Sequence, residues 1–329
     1  MMAAAAIGLL MVLAVSACSS SSDADAARTS STTAPSTTGT STTAGRSTTT
    51  VATAPIAAPT ATQARLVAAR PVKVHVAPSY TKGTAAPLLV LLHGYGTTGD
   101  IQSAYLGMEV AADKAGMVYV HPDGTADATG KQFWNATDAC CARVAGTDVD
   151  DSAYLEAVIA KVASQYDIDP RRVYVAGHSN GGFMSYRMAC DHADTVAAIA
   201  SLEGATFADP AACRPSEPVA TLEIHGTGDH TIPYDGGSIG GHAFPGAEQT
   251  VKTWARYDGC SLTPDAPAPA DHAIVADLPD ATVTSYSKGC DKGGHAELWT
   301  QPQGVHIPVW TKTMSDQVVA WLMAHPKPA

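Results

Sequence analysis

The sequence predicts an α/β fold with a mostly parallel central sheet and helices on both faces, and two observations favour it. First, continuous apolar runs end in glycine-rich turns, as in PLLVLLHG (87–94) and GMVYVHPDG (116–124), which is typical of strands buried on both faces of a sheet. Second, a segment with helical spacing, DDSAYLEAVIAKVASQY (150–166), comes before the next apolar run, VYVAGH (173–178). Strands that alternate with helices indicate βαβ units and therefore parallel strands.

The remaining elements continue this alternation along the chain. RPVKVHVAP (70–78) alternates like an edge strand, and Asp150 or Asp151 is a candidate N-cap for the helix at 150–166. We predict further strands in VAAIASLEG (196–204), PVATLEIHGTGD (218–229) and AELWTQPQG (296–304), and a closing helix in SDQVVAWLMAH (315–325). With 329 residues, 45% of them hydrophobic, the chain can bury one large core, so we predict a single domain over residues 65–329.

The N-terminus is predicted to be an export signal. Residues 3–15, AAAAIGLLMVLAV, are apolar but shorter than the about 20 residues that span a bilayer, and small residues precede Cys18. This pattern predicts a signal peptide over residues 1–17. It also resembles the bacterial lipobox, which implies cleavage before Cys18, acylation of its thiol and tethering to the outer face of the plasma membrane. No Lys or Arg precedes the apolar run, so plain secretion is the alternative.

The segment from residue 18 to residue 64 is predicted to be a disordered stalk. It consists almost wholly of Ser, Thr, Ala, Gly and Pro, and such a composition buries too little apolar surface to offset the entropy of ordering. The formal charge of the chain is -11, and no basic stripe is present. We therefore expect no nucleic-acid partner, and membrane contact only through the N-terminal lipid.

One serine stands at the end of a predicted strand. Gly177, Ser179 and Gly181 in AGHSNGG (176–182) fit the pattern G-x-S-x-G, in which small neighbours allow a serine to sit exposed on a sharp strand-to-helix turn. Ser179 is therefore the predicted nucleophile. An ordinary glycine turn would produce the same short pattern, so the neighbouring strand ends decide between the two interpretations.

An earlier strand end supplies the second half of the site. The turn HGYG (93–96) follows an apolar run directly and is predicted to precede a helix. The backbone N–H groups of Tyr95 and of Asn180, the residue after the serine, are predicted to form an oxyanion hole for an ester carbonyl.

The acid and the base are expected after the serine, because sites of this kind follow the chain order Ser, Asp or Glu, His. Asp229, in the turn after a strand, is the predicted acid, with Asp235 as the alternative. His306, just beyond the last predicted strand, is the predicted base, whereas His295 precedes that strand and belongs at its opposite end. The other histidines are expected at the surface or, for His225, packed at a strand end: His230, His242, His272 and His325.

Several motifs together resemble a known family. LHGYG, FWNATDACC, VDD, AGHSNGGFMSYRMAC, IHGTGDHTIPYDGG and the late Gly-Val-His are similar to the secreted polyhydroxybutyrate depolymerase and feruloyl esterase-like family of α/β-hydrolases, from about Arg65 to His325. The resemblance implies the α/β-hydrolase fold and places nucleophile, acid and base on Ser179, Asp229 and His306. The chain departs from the family's usual Gly-Gly-His followed by Trp-Pro, since it has Val305 before His306 and Ile307 after it.

The function that these residues imply is that of an extracellular serine ester hydrolase working through an acyl-enzyme. The expected substrates are hydroxyalkanoate, feruloyl or acetyl esters, small or linked to cell-wall polysaccharide. The alternatives are an acyltransferase to a cell-wall acceptor, a catalytically silent tethered binding module, and a serine peptidase. Tyr95 and Trp134, with Phe133, are predicted to line an aromatic acyl pocket. The chemistry needs no cofactor, and the chain has no H-E-x-x-H or paired C-x-x-C ligand set, so no metal is expected.

Seven cysteines, less Cys18, leave six for disulfides in an oxidising compartment. The helix after Ser179 is expected to run to the amino end of the sheet, where the strand near 219 begins, which pairs Cys190 with Cys213. A strand length of about 17–20 Å separates the cysteines at 140 and 141 from that end. The remaining predicted pairs are Cys260–Cys290 and a vicinal Cys140–Cys141 bridge.

Overall fold

The computed structural model describes residues 54–141, 146–267 and 272–329. The predicted signal peptide, Cys18 and the predicted stalk up to residue 53 lie outside these residues. The folded domain begins earlier than residue 65, the predicted boundary. Ile56 packs against the core, and helix α1 (Ala61–Ala69) begins with a capping box between Thr60 and Gln63. Because the box satisfies two terminal N–H groups reciprocally, it stabilises a helix start inside the segment that was predicted to be stalk.

A central sheet of eight strands organises the domain. Its strands in chain order are β1 (Val74–Val76), β2 (Ala86–Leu92), β3 (Val118–Val120), β6 (Ile168–His178), β7 (Ala198–Leu202), β8 (Ala220–Gly226), β11 (Thr282–Tyr286) and β12 (Ala296–Gln301). They lie side by side in the order β1-β3-β2-β6-β7-β8-β12-β11. The edge strands β1 and β11 are antiparallel to their neighbours and all other pairs are parallel. The predicted mostly parallel sheet is thus observed.

Two small hairpins accompany this sheet. One pairs β4 (Thr125–Ala126) with β5 (Gln132–Phe133), and the other pairs β9 (Gly236–Ile239) with β10 (His242–Pro245).

Helices cover both faces of the sheet, as predicted. One face packs against α1, α4 (Asp151–Ala163), α5 (Asn180–Asp191) and α6 (Ala247–Tyr257), and the other against α2 (Gly99–Leu106), α3 (Met108–Lys114) and α7 (Met314–Ala324). Successive residues of β2 alternate between the two cores: Leu88 and Val90 face one, Leu89 and Leu91 the other. Asp150, not Asp151, caps α4, since its side chain accepts from the Ala153 N–H.

Three disulfides join the cysteines in the pairs that the sequence predicts. Cys190 lies near the end of α5, and its Cα is 5.6 Å from that of Cys213, which precedes β8. Cys260 pairs with Cys290, and Cys140 with its neighbour Cys141. Among the described residues, no helix combines the length and the apolar character that crossing a bilayer requires.

Candidate active site

Ser179 occupies the one-residue turn between β6 and α5. Its backbone has φ 55° and ψ -120°, a left-handed conformation that non-glycine residues rarely adopt. The Ser179 N–H donates to the Leu202 carbonyl of β7 at 2.8 Å, and the Phe183 N–H donates to the Ser179 carbonyl. The surrounding structure therefore holds the strained residue in place, as is common at functional sites.

Steric constraints require glycine at the positions two residues before and two residues after Ser179. A Cβ at Gly177 would lie 2.2 Å from the Gly181 carbonyl oxygen, and a Cβ at Gly181 would lie 2.2 Å from the Leu92 carbonyl oxygen. Neither distance is possible for a side-chain carbon, so the helix can start this close to β2 and β6 only with glycine at both positions. The G-x-S-x-G spacing thus follows from close backbone packing.

Three side chains from different strand ends form one hydrogen-bonded chain. The Ser179 hydroxyl donates to His306 Nε2 at 2.9 Å, and His306 Nδ1 donates to Asp229 Oδ2 at 2.7 Å. Ser179 follows β6, Asp229 follows β8, and His306 lies in the loop after β12. Since these strands are parallel neighbours or near neighbours, their carboxyl ends meet at one edge of the sheet.

The Asp229 carboxyl group is buried but well supplied with donors. Its Oδ1 accepts from the N–H groups of Thr231 (2.7 Å) and Ile232 (2.9 Å), while Oδ2 accepts from His306. Burial raises the pKa of Asp229, but the hydrogen bonds from His306 and the two N–H groups outweigh it and leave the pKa below its ordinary value. Asp229 is therefore a carboxylate, and it orients the His306 ring.

The loop that carries His306 is tied to the turn that carries the serine. His178 Nε2 donates to the His306 carbonyl at 2.9 Å, and the two rings lie 5.0 Å apart. Burial lowers the pKa of His178 to about 4, so its ring is neutral and needs only one proton, on Nε2, for this bond. At the loop's base, the Gly228 N–H donates to the Gly304 carbonyl at 2.8 Å.

The backbone next to Ser179 offers donors for an anion. Gly94 lies against the serine, since a Cβ there would be 3.5 Å from the Ser179 Cβ. Within the described ranges, no protein acceptor takes the N–H of the next residue, Tyr95. Asn180 is the first residue of α5, where N–H groups have no acceptor within the helix. The Tyr95 hydroxyl donates to Asp127 at 2.5 Å, which raises the pKa of Tyr95 to about 12.

Trp134 does not line an open pocket, and the prediction of a substrate-binding role for it is wrong. Its side chain is fully buried, like that of Phe133. Trp134 Nε1 donates to the His93 carbonyl, and its backbone exchanges two hydrogen bonds with the Asn180 side chain. Asn180 Nδ2 also contacts Cys140 Sγ at 3.3 Å. The indole N–H of Trp134 is thus satisfied inside the core, as is usual for a buried tryptophan. Through these contacts the motif FWNATDACC supports the two turns that flank Ser179, at His93 and at Asn180.

A buried ionic pair lies behind Asp229. His225 Nδ1 faces Glu223 Oε1 at 3.0 Å, and its Nε2 faces the Ile232 carbonyl at 2.8 Å. Glu223 also accepts from the Tyr186 hydroxyl and the Gly204 N–H, so its carboxylate is an acceptor throughout. Both ring nitrogens of His225 then donate, which requires the imidazolium form.

The pKa of His225 agrees with this assignment, although burial raises the pKa of Glu223. Burial lowers the pKa of His225, but the hydrogen bond to Glu223 and the charges of Glu203 and Glu223 outweigh it and raise the pKa to about 9. Burial raises the pKa of Glu203 well above its ordinary value. His225 was expected to be a packed strand-end residue, and it is buried near the end of β8. Glu223 lies two residues earlier on the same face of that strand, whereas Glu203 comes from the end of a different strand.

Glu203, His225 and Asp229 also form the one group of potential metal ligands found among the described residues. Their donor atoms are within 4.8 Å of one another. However, His225 Nε2 already donates to the Ile232 carbonyl and Asp229 Oδ2 already accepts from His306. These hydrogen bonds use the atoms that a metal would need.

The alternative candidates lie elsewhere. Asp235 is exposed and directly precedes β9. His295 precedes β12 and contacts Ser285 and Glu297 at the other end of the sheet. His272 stacks on Trp299, and His325 packs on Trp321.

A comparison with family models finds one match, to the family described as "Putative esterase", over residues 64–277. Feruloyl esterase B of Piromyces equi is 30% identical over 237 residues, which are 69% of this chain and 43% of that protein. Putative esterase NocK of Nocardia uniformis subsp. tsuyamanensis is 32% identical over 188 residues, 55% of this chain and 52% of that protein. The chain thus spans about half the length of these curated relatives or less.

Among solved structures, the acetyl xylan esterase from Aspergillus awamori superposes with a TM-score of 0.54 at 15% identity. The match covers 77% of this chain and 93% of that one. At this identity the likeness concerns the fold, and it agrees with the predicted arrangement of a mostly parallel sheet between two layers of helices.

Proposed function

The chain belongs to the putative esterase family, as a feruloyl esterase-like α/β-hydrolase, and from that premise we propose that it is a serine carboxylic-ester hydrolase. The observation that carries the proposal is the continuous chain of hydrogen bonds from Ser179 through His306 to Asp229. A serine hydroxyl on an imidazole that a carboxylate orients is the arrangement that activates a nucleophile for acyl transfer.

In the first step, Ser179 Oγ attacks the ester carbonyl carbon while its proton passes to His306 Nε2. The carbonyl oxygen becomes an oxyanion, which the N–H groups of Tyr95 and Asn180 stabilise. The C–O bond to the alcohol then breaks, the proton on Nε2 moves to the departing alcohol oxygen, and an acyl-serine remains.

In the second step, a water attacks the acyl-serine and gives its proton to His306 Nε2. The acid is released as that proton returns to Ser179 Oγ. Asp229 holds the imidazole with Nδ1 protonated and stabilises the imidazolium that forms in each step. His178 contributes by holding the His306 loop through the carbonyl of His306.

For the substrate, we propose hydroxyalkanoate, feruloyl, acetyl or similar esters, small or polysaccharide-linked. The names of relatives support this range, since they include feruloyl esterases and a bifunctional acetylxylan esterase/xylanase of Neocallimastix patriciarum. Tyr95, half-buried beside the oxyanion donors, remains the proposed aromatic contact for the acyl group.

We propose an extracellular location for the enzyme. Three disulfides support it, because such bonds persist in oxidising compartments. The apolar N-terminal run and Cys18 support export and attachment by a lipid.

The test combines a covalent probe with a substrate panel. A fluorophosphonate should label the wild type and not Ser179→Ala, and the wild type should hydrolyse acetyl, 3-hydroxybutyryl and feruloyl esters. Mass spectrometry of the labelled peptide identifies the modified serine. Alcohol acceptors added to the reaction separate the alternative, since a transferase would form the new ester in preference to the free acid. Label on another residue, or full activity of Ser179→Ala, contradicts the proposal.

A further inference from the structure

Exposed apolar side chains are concentrated beside the proposed base. The described residues expose six large apolar side chains, and three of these are Val305 (50% exposed), Ile307 (67%) and Val309 (73%). They alternate along the five-residue segment that contains His306. Exposed apolar side chains that cluster on a folded domain often belong to a binding surface.

A fourth exposed apolar residue borders the same segment. Ile101 (60% exposed) lies on α2 four residues before Tyr105, so both side chains project from one face of the helix. The Tyr105 hydroxyl donates to the Pro308 carbonyl at 2.7 Å, and this contact brings that face of α2 to the loop. We call Ile101, Val305, Ile307 and Val309 the apolar rim.

Hydrogen bonds hold the backbone of the rim in place. Besides the contact from Tyr105, His178 donates to the His306 carbonyl, and the Ala276 N–H donates to the Val309 carbonyl at 2.8 Å. The side chains are thus presented to solvent on a backbone held by hydrogen bonds at three of its carbonyl groups, those of residues 306, 308 and 309. Such preorganisation favours binding because little order is lost when a ligand arrives.

The proposed chemistry decides which part of an ester meets the rim. His306 Nε2 must reach the alcohol oxygen to protonate it, whereas the carbonyl oxygen points to Tyr95 and Asn180. The alcohol therefore leaves on the side of His306. Val305 and Ile307 are its direct chain neighbours, with Cα atoms about 3.8 Å from that of His306.

The loop part of the rim also lacks charge, and the nearest acid along the chain to Ile101 is the exposed Asp100. Residues 301–311, QPQGVHIPVWT, contain no Asp, Glu, Lys or Arg. An alcohol with many hydroxyl groups would lose water there without an ionic partner, while an alkyl or aryl alcohol would bury apolar area on both sides.

We propose that the apolar rim is a subsite for the alcohol half of the ester and that the preferred substrates carry a hydrophobic alcohol. The inference rests on the proposed triad, because His306 defines the leaving-group side. It narrows the proposed substrates to esters of alkyl or aryl alcohols in preference to esters of sugar hydroxyls.

The test uses two esters of identical formula, hexyl acetate and methyl heptanoate, which place the same apolar chain on the alcohol side or on the acyl side. In the full-length protein, Ile307→Ser should lower kcat/KM for hexyl acetate about tenfold, mainly through KM, since an isoleucine side chain contributes on that scale when buried. The value for methyl heptanoate should change less than about twofold. Val309→Ser should act in the same direction, and Val110→Ser, at a valine on α3 that is 59% exposed, should change neither value.

A third substrate compares the alcohols directly. The wild type should cleave hexyl acetate at least about tenfold more efficiently than 2,3-dihydroxypropyl acetate, because only the hexyl chain can bury apolar area on the rim. The inference is overturned if the polar alcohol is preferred, if Ile307→Ser affects both isomeric esters equally, or if it affects neither. Hydrolysis of methyl acetate by Ser179→Ala would instead overturn the proposed triad, so the two failures are distinguishable.

Discussion

Asp229 contacts two imidazoles with different tasks. Its Oδ2 accepts from His306 at 2.7 Å, and His225 Nε2 lies 3.7 Å from the same oxygen. In the proposed mechanism His306 changes its protonation state during each turnover, whereas the bonds of His225 to Glu223 and Ile232 favour the doubly protonated ring. A nearby cation favours the ionised form of a carboxylate, so Asp229 is ready to orient His306 at the pH values at which His225 is protonated.

Replacing this carboxylate by an amide should separate geometry from charge. We expect Asp229→Asn to lower kcat for a p-nitrophenyl ester by about 10⁴, because an amide offers His306 the wrong hydrogen-bond partner and disfavours the productive tautomer. Asp235→Asn, an exposed acid six residues away, is the matched control and should retain activity. Comparable rates for the two variants would show that Asp229 does not orient the base.

The buried pair of Glu223 and His225 should make stability depend on pH. The pKa of His225 is raised to about 9 in the folded protein, above its unfolded value of about 6.5. Its contribution is therefore fully present below pH 6.5 and is lost as the pH rises through 9. The full effect is roughly 3 kcal/mol of unfolding free energy, and the raised pKa of Glu203 acts in the same direction.

Urea unfolding between pH 6 and pH 9.5 measures this dependence. Glu223→Gln removes the charge that keeps His225 protonated, so it should lower the midpoint most at pH 6 and reduce the loss between pH 6 and pH 9.5. Glu248→Gln, on the exposed surface of α6, should leave the slope unchanged. A steeper slope in Glu223→Gln than in the wild type would contradict the assignment of an imidazolium at His225.

At the scale of elements, the junction between β6 and α5 depends on how closely the helix approaches the sheet. The start of α5 lies against β2, β6 and the Ser201–Gly204 turn, where glycines face glycines or small polar atoms. This approach directs the Ser179 side chain out of the sheet and leaves the first N–H of α5 free beside it.

A methyl group at Gly181 should disrupt this junction. Its Cβ would lie 2.2 Å from the Leu92 carbonyl oxygen and 2.8 Å from that of His93, so the helix start has to move. Because a displacement of about 1 Å at reacting groups can cost about 10²-fold in rate, we expect Gly181→Ala to lose at least that factor in kcat/KM and in labelling by a fluorophosphonate.

Ser185→Ala is the control for that experiment. It removes a hydrogen bond to the Gly181 carbonyl in the same helix without adding an atom, so its activity should remain close to that of the wild type. Far-UV circular dichroism and urea midpoints show that both variants fold. A fully active Gly181→Ala would mean that the helix can shift without moving Ser179.

At the scale of the whole molecule, all parts of the proposed site lie at one edge of the sheet, the edge formed by the carboxyl ends of its parallel strands. The oxyanion turn follows β2, and the three triad residues follow β6, β8 and β12, over more than 200 residues of chain. The disulfide between Cys190 and Cys213 is placed away from this edge, near the end of α5 and before β8. This disulfide thus lies at the opposite end of the strands from the proposed site, whereas Cys140 of the vicinal disulfide contacts the Asn180 side chain beside it.

The mode of attachment to the cell is a prediction for the full chain. When expressed in a bacterial host that processes lipoproteins, the wild type should partition into a detergent phase, and Cys18→Ala should remain in the aqueous phase. The physical reason is that acyl chains on the cysteine add about 0.8 kcal/mol of membrane affinity per buried CH₂. Ser19→Ala, the neighbouring change, should partition like the wild type. Equal release of all three forms into the medium would contradict lipid attachment and favour secretion without an anchor.

The elements that the sequence predicts well are those with strong local patterns. β2, β6 and β8 are continuous apolar runs, and α4 and α7 have helical spacing, so each carries its own signal. The edge strand β11, TVTSY, and the β9–β10 hairpin were not predicted, because their polar or glycine-rich sequences become strands only when a neighbour supplies hydrogen bonds.

The sequence by itself determined the family, the parallel sheet and the Ser179 turn, and the comparisons confirm the feruloyl esterase-like α/β-hydrolase. These features are local, since they depend on apolar runs and on glycines that close packing requires. The order of nucleophile, acid and base along the chain stays a prediction. The sequence already favoured His306 over His295, but only the tertiary structure decided that the His306 ring reaches Ser179, that Trp134 is buried, and that His225 lies between Glu223 and Asp229. The reason is that these hydrogen bonds and this burial depend on which strand ends lie side by side. The strand order β6-β7-β8-β12 results from the packing of the whole sheet, and no single segment of the sequence encodes it.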